Sequence, residues 1–436
     1  MNSQMKYRTH LSSEINESLA GQEVVVAGWV HFKRDLGGKK FLIIRDKDGY
    51  IQVVISRKDQ PELAELFYEL TPESTVSIKG TVKLDKRAPN GYEIIPSEIM
   101  VHSKAKAPLP LDVSGKVPAD IDTRLRERVL DLRREESRAY FKIISVALKA
   151  IREELHRRGF IEIFTPKIIA TATEGGAALF PVAYFGREAY LAQSPQLYKE
   201  LMAGAFERVF EIAPAWRAEE SDTPYHLAEF ISIDIEMAFA DYNTVMEVLE
   251  NVVYQAIKAV KEECAKELRV INYEPPDVKL PLRRFKYTEV IKALQEAGFD
   301  IKVGDDIGTP ELREFHKIAE EDLFFIIDWP SEAKPFYTMP KRDDERFTES
   351  FDLNWKFLEL ASGSTRVHIK DLLIKRLREK GLNPESFRYF LKWFDYGIPP
   401  HAGWGMGLSR LALMLTGARN IREVTLFPRD KKRLKP

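Results

Sequence analysis

Cysteine is nearly absent from this 436-residue chain. The one present, Cys264, excludes a disulfide framework and any cysteine-based zinc module. It reads as a passive helix residue in KEECAKEL. No run approaches the ~18 consecutive apolar residues of a membrane-spanning helix. The start, MNSQMKYRTHLSSE, lacks the apolar centre of a secretory signal. A soluble cytoplasmic protein with no membrane partner is expected. Neither sign of charge is in excess: Lys+Arg 66 against Asp+Glu 67 leaves a net charge of −1. Contact with nucleic acid therefore has to use local patches. Asn and Gln number only 17 together among dense Lys, Arg, Glu and Asp, a bias that resembles thermophile composition. Internal repeats and low-complexity tracts are also missing.

What is present is a foldable chain. Apolar residues make up 44% and charged ones 31%, which excludes wholesale disorder. The length predicts two to four domains. Residues 22–103 read as five β-rich runs, QEVVVAGWVHF, KKFLIIRD, GYIQVVISR, STVSIKGTVKL and GYEIIPSEIMVHSK, with turns marked by Gly37-Gly38 and Asp48-Gly49. Five short strands in such a length fit a small closed barrel, of which the OB-fold is the five-stranded example. Such a barrel suits single-stranded nucleic acid, and a purely structural barrel is the competing reading.

Residues 104–121 carry Pro108, Pro110 and Pro118 and read as a semi-rigid linker. From Asp122 apolar residues fall at helical spacing until Gly159, and FIEIFTPKII then reads as a strand broken by Pro166. Further on, strand-like and helical runs alternate over 190–239, a helix is expected over 240–268, and a small α/β insertion over 270–345. RFTESFDLNWKFLELAS reads as one strand, followed by helices over 366–380 and 384–396. The texture predicts an α+β domain over 122–436 with an antiparallel sheet flanked by helices, behind a barrel domain over 1–103.

Three segments carry chemistry: Gly159-Phe-Ile-Glu-Ile-Phe-Thr-Pro166; Phe210-Glu-Ile-Ala-Pro-Ala-Trp-Arg217-Ala-Glu219, followed by His226 and Glu229-Phe230; and Gly403-Trp-Gly405-Met-Gly407-Leu-Ser-Arg410. Their order and spacing resemble motifs 1, 2 and 3 of class II aminoacyl-tRNA synthetases. The barrel, with its GWV…RDLGG…F pattern, narrows the resemblance to the Asp/Asn/Lys subgroup. It covers the chain from about Tyr7 to Pro436.

The chemistry of that family needs a guanidinium where charge gathers on the α-phosphate of ATP. The resemblance gives that place to Arg217, with Glu219 accepting from the adenine amine and Phe230 stacking on the base. It gives Arg410 and His226 the γ-phosphate, with the glycines around Gly407 letting backbone approach the nucleotide. Arg217 and Arg410 are thus the expected catalytic residues. Ser409 departs from the acidic residue usual before this arginine. Asp352 and Glu359 are the implied Mg²⁺ carboxylates, beside ATP. Seven residues apart on one strand, they would face opposite ways unless a bulge or turn intervenes.

The run Gln193-Ser-Pro-Gln196-Leu-Tyr-Lys199 matches the QSPQLYK of the aspartyl branch, in its compact archaeal form. A buried substrate carboxylate needs a cation, and Lys199 and Arg366 are the candidates. Asparaginyl members typically carry an apolar residue at Lys199. Glu174 and Asp234 resemble the acidic groups that hold the substrate ammonium, with Gln196 and Ser362 as polar neighbours. Pro166 resembles the motif 1 proline at a dimer interface, so a homodimer is implied.

In the barrel, Phe41 can stack an unpaired base, with barrel core as its competing place, and Gln52 can read a base edge. Arg34 and Glu93 match positions near the anticodon groove. Relatives that reject tRNA-Asn carry Trp at the position of His31 and Lys at that of Pro89. Both differ here, so the expected partners are tRNA-Asp and also tRNA-Asn. The expected reaction is ATP-dependent activation of L-aspartate and its transfer to tRNA. Two readings of other classes compete. One is an amide synthetase that adenylates aspartate, whose relatives lack the barrel. The other is a non-catalytic tRNA-binding protein, which would be expected to lose Arg217, Glu219 or Arg410.

Overall fold

In the computed structural model the described residues are 7–170, 179–218 and 223–435. They fall into two units, Met1–Pro118 and Ala119–Pro436.

The first unit is built from β1 (Glu23–Leu36), β2 (Lys39–Arg45), β3 (Tyr50–Ser56), β4 (Thr75–Leu84) and β5 (Tyr92–Ser103). They close in the order β1-β2-β3-β5-β4. Side chains alternate along each strand, so Val24 and Val26 of β1 enter the core with Leu42, Ile44, Val53, Ile55 and Ile78. Burying each such side chain contributes about 1.5–3 kcal/mol. The sequence reading omitted one element, the helix Pro61–Glu69 between β3 and β4. Its Ala64 and Phe67 close the barrel from one side. At nine residues it is too short for its periodicity to stand out.

The second unit contains β6 (Ile161–Glu162), β7 (Ile168–Ile169), β8 (Pro181–Tyr184), β9 (Arg187–Leu191), β10 (Arg208–Trp216), β11 (Glu229–Ala238), β12 (Arg283–Lys286), β13 (Leu323–Ile327), β14 (Ser350–Trp355), β15 (Leu358–Thr365) and β16 (His401–Gly407). Eight of these make one sheet, ordered β12-β13-β14-β15-β16-β11-β10-β6, and β7-β9-β8 make a small second one. The six strands from β13 to β10 pair antiparallel, as expected. The two outermost pairs, β12 with β13 and β10 with β6, are parallel, so the sheet is mixed.

The helices Glu135–Arg157, Tyr242–Glu263 and Leu408–Thr416 share one core with the sheet. Ile233 and Ile235 of β11 and Trp404 and Met406 of β16 point into it. Alternation leaves the other face of these strands for polar residues.

Several sequence expectations are corrected. The run RFTESFDLNWKFLELAS, residues 346–362, is not one strand but falls on the hairpin β14–β15, turning at Lys356-Phe357. The periodic run after Asp122 is three helices, Ile121–Arg126, Arg128–Asp131 and Glu135–Arg157. Arg124 and Arg128 both bind Asp131 and hold the two short helices in place. The helix expected over 240–268 ends at Glu263, and Cys264 joins it to Ala265–Ile271 instead of lying inside it. The helix expected over 366–380 is confined to Lys370–Glu379, and 384–396 is one turn of α-helix between 3₁₀ segments.

Candidate active site

Strand β11 positions the site. Its alternate residues Phe230, Ser232, Asp234 and Glu236 face away from the helical core. Across the sheet Ser232 pairs with Gly407, Asp234 with Gly405 and Glu236 with Gly403. The glycines explain the Gly-Trp-Gly-Met-Gly alternation of β16. A Cβ at Gly403 would lie 2.2 Å from the Glu236 Oε2, and one at Gly405 would lie 3.0 Å from the Asp234 Oδ1. The sequence reading attached the glycines to the nucleotide; at 403 and 405 they make room for protein carboxylates. At Gly407 the nearest atoms are 3.9 Å away, on Arg410.

The same rows continue. Gly405 pairs with Ser362 and Ser362 with Asp352, so Asp234, Ser362 and Asp352 lie in one line across four strands. Asp234 and Ser362 line a cavity of about 350 Å³. It is lined by Gln196, Lys199, Asp234, Ser362 and Arg366 at one part, and by Arg217, His226, Phe230, Glu359, Gly407 and Arg410 at another. The structure thus brings together residues drawn from five separate stretches of sequence. Glu174 and Glu219 lie outside the described residues.

Charges around Lys199 and Arg366 are buried and paired. The Lys199 ammonium donates to Asp234 Oδ1 at 2.8 Å and to the Trp404 carbonyl at 3.1 Å, and stands 3.8 Å from Glu236. The Arg366 guanidinium donates to both Glu236 oxygens, at 3.0 and 3.3 Å, and to Ser364 Oγ at 2.7 Å. Burial opposes that charge, but the Glu236 carboxylate more than offsets it and holds the arginine well above its ordinary value. Glu236 escaped the sequence reading. The signal for it was the period of two in Ser232-Ile-Asp234-Ile-Glu236.

At the other end, the Arg217 guanidinium lies 5.5 Å over the Phe230 ring. Its backbone N–H reaches Ala228 O at 2.9 Å, extending the β10–β11 hairpin beyond the strands. Arg410 donates to the Glu359 carbonyl at 2.9 Å and approaches His226 Nε2 at 3.4 Å. Thr223 holds the other ring nitrogen of His226 at 2.5 Å. Ser409, where an acidic residue is usual, is buried and lies 3.4 Å from the Thr425 hydroxyl.

A turn and a bulge resolve the parity problem of Asp352 and Glu359. The hairpin folds them onto adjacent strands, and an irregularity at Leu353/Asn354 puts Glu359, not Leu360, opposite Asn354. Asp352 is buried and its carboxylate is held by Lys334 at 2.8 and 2.9 Å. Burial pushes its pKa up, Lys334 opposes this, and the nearby Glu359 charge adds to the rise. Glu359 is exposed to the cavity side of β15. Hard carboxylate oxygens suit a Mg²⁺ ion that takes its remaining ligands from phosphates and water, and of the two only Glu359 lines the cavity while both Asp352 oxygens are held by Lys334. Among the described residues no group of three or more His, Cys, Asp or Glu could hold a metal. Lys334 had no sequence signal, because it comes from a loop with no regular period, 18 residues before Asp352.

In the barrel unit the expected contacts gather around β1–β3 and the β4–β5 loop. His31 stands at a bulge of β1. Its ring lies 5.0 Å from Tyr50, and its Nδ1 is 3.2 Å from Arg45, which makes two hydrogen bonds to Glu73. Pro89 is exposed in the β4–β5 loop, whose Asn90 side chain donates to the Tyr50 carbonyl at 2.8 Å. Tyr50 therefore links the two positions. Gln52 donates to Glu93 at 3.2 Å, and Glu93 is buried and also bound by Lys83. Arg34 is exposed directly across from Phe41, which is partly buried.

Residues 120–431 match the family described as class II tRNA synthetases (D, K and N), and residues 24–101 match the OB-fold nucleic acid binding domain. A relative from Sulfurisphaera tokodaii, described as an aspartate–tRNA(Asp/Asn) ligase, is 63% identical over 99% of this chain and its whole length. One from Thermococcus kodakarensis, described as an aspartate–tRNA(Asp) ligase, is 50% identical over 99% of this chain and its whole length. Among solved structures, asparaginyl-tRNA synthetase from Pyrococcus horikoshii with asparaginyl-adenylate superposes with a TM-score of 0.92 at 33% identity, covering 99% of this chain and 100% of that one. Aspartyl-tRNA synthetase from Entamoeba histolytica gives 0.87 at 31%, covering 100% and 94%.

Proposed function

The chain belongs to the class II tRNA synthetases for Asp, Lys and Asn, with an N-terminal OB-fold domain and an α+β catalytic domain, and we propose from this how its residues divide the work. It is an aspartate–tRNA ligase of the archaeal kind, joining L-aspartate to tRNA-Asp and to tRNA-Asn at the expense of ATP. The observation that carries the assignment of roles is the single cavity with buried cations at one end and an arginine over an aromatic ring at the other.

Lys199 and Arg366 receive the aspartate side-chain carboxylate, and Asp234 takes the substrate ammonium, with Glu174 beside it. Gln196 and Ser362 supply neutral hydrogen bonds. Phe230 stacks on adenine, with Glu219 on its amine. Arg217 stabilises the charge that develops on the α-phosphate when the aspartate α-carboxylate attacks it, and pyrophosphate leaves. Arg410 and His226 hold the γ-phosphate end, where Gly407 leaves open space. The tRNA 3′-terminal hydroxyl then attacks the mixed anhydride and releases AMP. Positioning and charge stabilisation suffice, with no side-chain nucleophile. Asp352 and Glu359 are the residues that would hold Mg²⁺, which neutralises phosphate charge when bound; Lys334 must then share or yield Asp352.

The barrel reads the anticodon through Phe41, Gln52, Arg34 and Glu93, with His31 and Pro89 beside the third base. A homodimer follows from motif 1. Pro166 is exposed beside Phe164, Ile161 and Ile168, and Phe164 is 82% exposed, an apolar surface that a second copy of the chain would cover. Light scattering should give twice the chain mass, and an active monomer at micromolar concentration would remove this reading. No helix among the described residues is long and apolar enough to cross a membrane, in keeping with action in the cytoplasm. The test of function is charging of purified tRNA-Asp and tRNA-Asn transcripts with labelled aspartate and asparagine. Aspartate should be attached to both and asparagine to neither.

A further inference from the structure

Behind Gln196 and Arg366 lies a fully buried pair that the proposed chemistry leaves unused. His401, the first residue of β16, has no exposed surface, and neither has Glu200 on the helix Gln196–Phe206. The ring Nδ1 lies 2.8 Å from the Pro399 carbonyl oxygen, and Nε2 lies 3.3 Å from Glu200 Oε2. A carbonyl can only accept, and so can an ionised carboxylate. A neutral imidazole has one N–H and would leave one of these contacts as two facing lone pairs. The imidazolium satisfies both. The other Glu200 oxygen accepts from the Gln196 amide at 2.6 Å, and the His401 carbonyl accepts the Arg366 backbone N–H at 2.8 Å.

The charges around this pair come from several elements. Glu236 on β11 and Glu200 both act on His401, Arg366 is attracted by both carboxylates, and His368 stands near enough to repel a charged His401. Lys199 and Asp234 complete the wall. With a neutral His401, two cations (Lys199, Arg366) face three carboxylates (Asp234, Glu236, Glu200). With the imidazolium, three face three.

We propose that Glu200 and His401 are a proton-holding positioning pair that orients Gln196 and matches the pocket's charge to an anionic amino-acid side chain, so that aspartate binding and protonation of His401 favour each other. The proposal rests on Lys199 and Arg366 being the aspartate site. Binding one more carboxylate in a wall already short of positive charge is costly, whereas a charged His401 offsets it. Linkage makes this reciprocal: aspartate raises the proton affinity of His401, and loss of that proton weakens aspartate. Burial alone would lower the pKa of His401. The Glu200 hydrogen bond and charge, with Glu236 behind, outweigh it and hold the pKa above the usual histidine value. The coupling therefore acts above the ordinary histidine range, and aspartate binding weakens as pH rises through it.

The experiment is aspartate-dependent pyrophosphate exchange on the full-length protein from about pH 6 to pH 8.5. It is paired with calorimetric titration of aspartate in two buffers of different ionisation enthalpy. KM for aspartate should rise ~5-fold or more across the range while KM for ATP and kcat change little, and aspartate binding should take up protons at the alkaline end. His401→Gln should raise KM for aspartate and flatten its pH dependence. Glu200→Gln, which removes the anion that retains the proton, should flatten it too. If the variants do not fold, the proton count on the wild-type protein still decides. No proton uptake, with aspartate and ATP showing parallel pH profiles, overturns the pair's role. Failure to exchange with aspartate at the acid end would instead overturn the pocket assignment.

Discussion

Arg217, half-buried, and Lys199, fully buried, are proposed to serve one reaction in different ways. Lys199 is locked by Asp234 and the Trp404 carbonyl, so its charge is part of the resting wall as well as of the proposed substrate site. Lys199→Leu leaves Asp234 and Glu236 facing one cation instead of two. Removing one member of a buried pair costs roughly 3–5 kcal/mol. Aspartate-dependent exchange should fall roughly several hundredfold, at ~1.4 kcal/mol per decade, while ATP binding survives. Normal activation of aspartate by this variant would refute the pocket. Arg217 lies against a ring and outside the regular strand, and its proposed role is to meet charge that exists only in the transition state. Arg217→Ala should therefore lower turnover about 100-fold or more with a small change in aspartate KM. The reverse pattern, normal kcat with raised KM, would make it a binding residue.

At the scale of elements, the site was legible wherever one strand carried its own pattern. Phe230, Asp234, Gly407 and Arg410 belong to motifs whose spacing survives in a single sequence, and the cavity gathers them. Glu236 continues the same alternation, but its role shows only in the fold, where it is buried and paired with Arg366 from another strand's end. Asp352 and Glu359 could not be placed from spacing, since a two-residue turn and a bulge decide their faces. Lys334, Glu200 and His401 were out of reach, because only the sheet order brings their loops and helix to one wall. The short helix Pro61–Glu69 is too brief for its period to stand out, and the breaks after Arg126 and Glu263 lie at the non-helical backbone of Glu127 and Cys264, which a continuing apolar period does not reveal. The glycine row gives this scale its own test. Gly403→Ala drives a methyl into Glu236 and the Ile235 carbonyl, so the sheet must shift, at a cost of about 1–3 kcal/mol in stability. Gly407→Ala meets no atom closer than 3.9 Å and should melt like the wild type. Equal thermal stability of the two variants would mean that the β11–β16 rows do not pack as described.

For the molecule as a whole, charging of both tRNA-Asp and tRNA-Asn needs a physical basis in the barrel. The anticodons GUC and GUU differ in one base, so rejecting tRNA-Asn needs a contact that penalises uracil there. A site rejects strongly when the wrong base leaves a buried polar group unpaired. Here the two candidate positions offer little of that kind. His31 is turned toward Arg45 and Tyr50 within its own barrel, and Pro89 has no side-chain donor. The loop bearing Pro89 is tied to Tyr50 by Asn90, so both positions are held by protein contacts. Charging of the two transcripts should therefore agree within ~10-fold, a difference of less than ~1.4 kcal/mol. Installing His31→Trp together with Pro89→Lys should shift the ratio toward tRNA-Asp while leaving aspartate-dependent pyrophosphate exchange unchanged, because exchange needs no tRNA. A native preference of several hundredfold for tRNA-Asp would show that the third base is read elsewhere, by residues that neither the bulge of β1 nor the β4–β5 loop supplies.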